Sequence, residues 1–307
     1  MSTVQTPTAA PGASSRRGRR RERDGRGWQL ELSPARAWPL VLPMLAIVGL
    51  FVVYPFVKLA VDSLTQGDGV GNYTAVLESG ALRRAMITTL IGGVIVTALA
   101  VGIGAVMAWW LRTTERRGCA AVLWVALALP FCMGVVVKNY AFVLLLSTSG
   151  PINEALTSLG VVGEPLQLLY TRGAVIVGIL YALLPYAVFS LYAAFSTVDP
   201  GLGDAARSMG ASRFQAARSV ILPLGLPGVV ASATIVFALS IGFYVTPILL
   251  GGSKTPFVAT LIQDQVFQYF DYPGAAAAAV ILLVIALAIL AVGFKAVGSR
   301  RLRSALA

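Results

Sequence analysis

The 307-residue chain is 57% hydrophobic and only 12% charged, with a mean hydropathy of +0.79, which leaves too little polar surface for a soluble domain and points to an all-α integral membrane protein. Its net charge of +11 is concentrated in the first 36 residues and in short loops, without the interleaved aromatic rings that base stacking needs, so nucleic acid is excluded as a partner. The absence of histidine and the presence of only two cysteines, Cys119 and Cys132, exclude a zinc site, a disulfide framework and His-dependent nucleophilic catalysis; the chain does not read as an enzyme.

Residues 1–36 are rich in Ser, Pro, Gly and Arg and have no apolar period, which predicts a disordered basic tail lying near anionic lipid. Its paired arginines are separated from the first apolar run by a polar stretch reaching past Asp24, unlike a twin-arginine export signal. No cleavage pattern is present, so the first apolar helix is expected to be retained.

The remainder, 37–307, holds six apolar runs at about 39–61, 86–111, 119–146, 173–197, 223–250 and 274–296. Each is long enough for the roughly 20 helical residues that cross a hydrocarbon core. Few charges fall inside them, and Lys138 is the one set well away from the ends of its run. Counting basic residues on alternate sides gives 18 against 6, the larger set including Arg16, Arg112, Arg116, Arg117, Arg207, Arg213, Arg218 and Lys295. That asymmetry places both termini in the cytoplasm. The second-to-third connection is a tight RTTERR turn. By contrast, the outer loops at 62–85, 147–172 and 251–273 are long enough for a short helix or a docking surface, and carry seven of the 13 acids. Within the last of these, GGSKT at 251–255 lacks the glycine spacing and the adjacent Gly-Lys of a phosphate-binding loop, so no ATP is bound by this motif.

The segment 199–223, between the fourth and fifth runs, is amphipathic and basic. Asp199-Pro200 is a helix start, Leu202, Ala205, Ala206 and Met209 fall at helical spacing, and Gly210 is a helix stop. Ser212 and Gln215 have the spacing of a capping box, which predicts a second helix carrying Phe214, Ala217 and Ile221 on one face. Pro223 marks re-entry into the membrane. Composition alone leaves two readings open, an amphipathic loop on the lipid surface or a protein-docking hairpin.

The pattern Asp204, Ala205, Ala206, then Gly210, Val220, Leu222 and Pro223 resembles the EAA loop of permease subunits in binding-protein-dependent ABC transporters, with Asp for the usual Glu and Val for the usual Ile. The likeness extends over about 37–300 and is similar to the spermidine/putrescine type, carried by LPFCMGVVVKNYAFVLLLSTSGPINEAL (129–156), YALLPYAVFSLYAAFSTVDP (181–200) and SIGFYVTPILLGG (240–252). The resemblance implies a type I importer permease in the inner membrane, for polyamines or a related small organic solute, paired with a second permease subunit that is a copy or a different chain. It also implies two cytoplasmic ATPases, which hold the ATP and Mg, and an extracytoplasmic solute-binding protein. The hairpin is then the coupling element that docks on the ATPase, with Asp204, Ala205, Ala206, Met209, Gly210, Ser212, Phe214, Val220, Leu222 and Pro223 as its residues.

For the substrate path, Lys138, Asn139 and Tyr140 interrupt the third run, and Tyr244, Thr246 and Pro247 interrupt the fifth, where Pro247 is expected to break the helix and free backbone carbonyls. Lys138 also fits a side chain snorkelling to headgroups, and Tyr244 also fits a packed aromatic. The rival class is an ion-coupled secondary transporter or channel, which needs carboxylates or a filter sequence in mid-span; the spans contain neither, and no inverted repeat is evident.

Overall fold

The computed structural model describes residues 42–216, 218–219, 222–252 and 256–306; the basic tail, Ala217, Val220, Ile221 and Lys254 lie outside the described residues. The chain divides into two units, 1–54 and 55–307. In the first, the described residues 42–54 are helical, with a π-turn at Gly49–Val53.

The second unit begins near the start of α1 (Tyr54–Thr65) and continues through α2 (Val70–Glu78), α3 (Gly80–Thr113), α4 (Arg117–Cys132), α5 (Val135–Leu146), α6 (Pro151–Ser158), α7 (Arg172–Ser196), α8 (Pro200–Ser208), α9 (Arg213–Ala216) and α10 (Leu222–Ile241). A π-helical turn at Pro247–Gly251 then leads to α11 (Val258–Phe267) and α12 (Tyr272–Leu306). Among the described residues no strand occurs, and six helical segments are long and apolar enough to cross a membrane: Leu42–Thr65, Gly80–Thr113, Val135–Ser158, Arg172–Ser196, Leu222–Ile241 and Tyr272–Gly293. The all-α, six-span reading of the sequence therefore stands.

Two spans differ from the sequence expectation. The third apolar run is divided at Met133–Gly134 into α4 and α5, with Pro130 inside the last turn of α4. Proline lacks the N–H of the helical ladder and Gly134 has an extended ψ of 146°, so the backbone leaves the helix there. The fifth run ends earlier than expected, at Ile241. The break lies at Gly242–Tyr244, and Pro247 opens the following π-turn rather than causing the interruption, a position where its missing N–H costs nothing. Each of the three long loops contains a short helix: α2, α6 and α11.

Close packing explains why α3 and α7 form the most extensive helix pair, with α10 against both. Gly92, Val96, Ala100, Gly104 and Ala108 recur every fourth residue of α3 and are all buried. This stripe of mostly small residues lets the backbones approach: a Cβ on Gly104 would meet Ala187 Cβ and Leu191 Cδ1 of α7 at 3.2 Å. The core follows that seam through Val175, Ile179, Leu183, Val188 and Leu191 to Val236 and Leu250. A second cluster joins Val76, Leu82, Ala85 and Val258 to Ala277 and Ala278 of α12, and a bond from Val258 N–H to Thr89 Oγ1 (3.0 Å) ties α11 to α3.

Candidate functional site: a capped hairpin and two broken spans

The hairpin between α7 and α10 is built from local capping chemistry. Asp199 Oδ1 accepts from Gly201 N–H at 2.8 Å, with Pro200 in the first turn of α8. At the other end, Gly210 N–H donates to Arg207 C=O (2.9 Å) and Ala211 N–H to Ala206 C=O (3.1 Å). That pair of bonds is the Schellman arrangement, and Gly210 has the left-handed φ of 92° that it requires. Ser212 Oγ accepts from Gln215 N–H (3.2 Å) while Gln215 Oε1 accepts from Ser212 N–H (2.8 Å), the reciprocal capping box that opens α9.

The apolar residues of α8 divide between the two faces of the helix. Ala206 is buried, whereas Leu202 and Ala205 are exposed and Met209 is 84% exposed. A fully presented methionine beside small residues is a surface to which another protein can approach closely. Asp204 lies in α8 and Phe214 in α9; Leu222 and Pro223 form the exposed start of α10, and Val220 falls outside the described residues.

The feet of the hairpin are held tightly. A Cβ on Gly225 would lie 2.8 Å from Phe195 Cδ1, and one on Gly228 would overlap Ala194 Cβ. The end of α7 is therefore packed closely on the glycines at the start of α10.

The substrate-path candidates separate into two sets. Asn139 and Thr246 are 2% and 0% exposed and are joined by a hydrogen bond from Thr246 Oγ1 to Asn139 Oδ1 at 2.9 Å; Asn139 Nδ2 donates to Val135 C=O at 2.8 Å. Gly178 of α7 packs on this pair, since a Cβ there would be 2.6 Å from Leu250 Cδ1 and 2.8 Å from Thr246 Cγ2. The two interrupted spans thus meet at one buried polar joint, with buried Pro247 alongside. Tyr140 and Tyr244 are exposed. Lys138 is half-buried, and its Nζ donates at 3.5 Å to Pro130 C=O, an acceptor that the break at Gly134 leaves without its helical partner.

Because removing one partner strands the other, Thr246→Val leaves Asn139 Oδ1 unpaired and destabilises by about 1–3 kcal/mol. Adding Asn139→Leu is expected to restore much of that loss. Thermal unfolding of the detergent-solubilised single and double variants measures the pairwise term.

The sequence reading missed an aromatic column. Tyr192, Trp124, Phe189, Phe131 and Tyr186 touch in succession between α7 and α4, with ring centroids 5.1, 5.6, 5.7 and 5.0 Å apart. Phe131 and Tyr186 are exposed at one end. The spacing was present in the sequence, with Trp124 and Phe131 seven apart and Tyr186, Phe189 and Tyr192 three apart, but single-span inspection does not show that the two series face each other.

Comparison with known proteins places this geometry. Residues 100–304, which include the hairpin and both broken spans, match the family described as binding-protein-dependent transport system inner membrane component. The chain belongs to this family. It is a permease subunit of the ABC importer class, integral to the membrane. The spermidine/putrescine transport system permease protein PotB of Escherichia coli (strain K12) is 30% identical over 254 residues, covering 79% of this chain and 92% of the relative. The inner membrane ABC transporter permease protein YdcU of the same organism is 28% identical, over 65% of this chain and 67% of the relative. Among solved structures, a bacterial ABC transporter that imports the acidic polysaccharide alginate aligns with a TM-score of 0.76 at 21% identity, covering 86% of this chain and 95% of that one. That likeness supports the permease fold.

Proposed function

We propose that this permease moves polyamines such as spermidine and putrescine, driven by ATP hydrolysed on a separate subunit to which the 199–223 hairpin docks. The observation that carries the coupling part is the hairpin itself: a doubly capped, glycine-terminated turn that presents Met209 and Ala205 outward while its feet are locked into the helix bundle. ATP and Mg are held by two cytoplasmic ATPase subunits, not by this chain. A second permease subunit, either another copy or a different chain, completes the pathway. An extracytoplasmic binding protein delivers the solute.

In this reading, closure of the ATPase pair pushes on α8, and the locked feet pass the displacement to α7 and α10, which rock the two permeases between inward and outward access. Both termini lie in the cytoplasm, with residues 1–36 as a basic tail against anionic lipid. The polyamine assignment rests on the likeness to PotB. Ring faces at exposed Tyr140 and Tyr244 attract ammonium groups, at about 0.5–2 kcal/mol per contact. Lys138 directs its charge to the Pro130 carbonyl.

The test is reconstitution of the permease pair with its ATPase and binding protein in liposomes. ATP-dependent accumulation of labelled spermidine, competed by putrescine, is the expected result. Accumulation driven by an ion gradient without ATP would overturn the coupling, and ATP-dependent transport that polyamines fail to compete would overturn the substrate class.

A further inference from the structure

A basic side chain outside the hairpin bears directly on it. Arg112 lies in the last turn of α3, and its Nη2 donates to the carbonyl of Val198, 86 residues away in sequence. Val198 occupies the corner between two helices. It follows the end of α7 at Ser196 and precedes the Asp199 cap of α8, so neither helix's hydrogen-bond ladder uses its carbonyl. The corner is also packed: Leu111, Phe195 and Val198 are buried in one cluster. Arg112 Nη1 is buried without a partner among the described residues, so the guanidinium is fixed by a single bond to the corner it holds.

We infer that Arg112 is a positioning residue for energy coupling: its bond to the Val198 carbonyl joins the hairpin to α3, so that displacement of α8 moves α3 together with α7 and α10. This rests on the proposed role of the hairpin. Apolar packing already links these elements: α3 lies along α7, Leu111 is in the buried cluster of Phe195 and Val198, and Phe195 on Gly225 with Ala194 on Gly228 binds α10 to α7. Arg112 adds a directional polar bond to the corner itself, and a cation beside the C-terminus of α7 is favoured by the helix dipole. A role in topology alone would be shared with Arg116 and Arg117, which sit in the same turn with exposed side chains.

The experiment compares Arg112→Met with the charge controls Arg116→Met and Arg117→Met in the reconstituted complex. Four quantities are read: ATPase recovered with the permease, melting temperature, ATP hydrolysis, and solute moved per ATP. For Arg112→Met, recovery and melting temperature are expected to match wild type while solute moved per ATP falls at least tenfold; both controls transport normally, and Arg112→Lys recovers part of the loss because its ammonium can still donate to the carbonyl. Unchanged coupling in Arg112→Met would overturn the inference. So would equal losses in all three methionine variants, which would assign the effect to charge, or loss of ATPase recovery, which would make Arg112 necessary for forming the docking surface. If the wild-type chain recovers no ATPase, it is the proposed hairpin role that fails, and this is read before any variant is compared.

Discussion

Gly210→Glu is expected to abolish uptake and release the ATPase from the purified complex. The position has φ of 92°, where any L-residue with a Cβ pays about 1–2 kcal/mol. A Cβ there meets no atom within 4 Å, so the new carboxylate points away from the permease into the space beside Met209 that a docked subunit would occupy. An unpaired charge buried on docking costs about 2–5 kcal/mol, a weakening of roughly 30-fold to several thousand-fold. Gly210→Ala bears the backbone strain without the charge, and its complex is expected to survive with reduced yield. Co-purification of the ATPase with each variant measures the difference.

The second large effect is at Gly178. Replacement by valine places atoms within 2.6 Å of Leu250 Cδ1 and 2.8 Å of Thr246 Cγ2, and none of these groups has an open side to move into, since Thr246 and Leu250 are fully buried. Overpacking of this kind costs about 1–3 kcal/mol, and here it also separates the Asn139–Thr246 pair from α7. Gly178→Val is expected to accumulate poorly in the membrane and to unfold at lower temperature than Gly178→Ala. Membrane abundance by quantitative blotting, followed by thermal unfolding of what is recovered, tests it.

The hairpin was legible in the sequence because its geometry is set by local chemistry. Asp199 with Pro200, Gly210, and Ser212 with Gln215 each fix a helix end using residues a few positions apart, and each appears in the predicted place. The number of spans was legible for the same reason, since hydrocarbon thickness sets a length that can be counted. Interruption of the third and fifth runs was anticipated from Lys138, Asn139 and Pro247, but its positions were not. Met133–Gly134 and Gly242–Tyr244 break the helices through the backbone, whereas Pro247 is accommodated at a helix start. The Asn139–Thr246 bond, the aromatic column and the Arg112–Val198 bond join residues far apart in the chain. Their pairing depends on how α3, α7 and α10 pack, which short-range patterns do not encode.

Met209 offers the most direct test of coupling through the hairpin, because it is 84% exposed at the end of α8. Cys119 and Cys132 are free and exposed, so both are first replaced by alanine. Met209→Cys in that background is then treated with a short bifunctional thiol reagent in membranes containing the whole transporter, with and without ATP. A cross-linked product containing the ATPase subunit, with a yield that changes on ATP binding, is the predicted result. Efficient labelling of Met209→Cys with no ATPase adduct under either condition would contradict it.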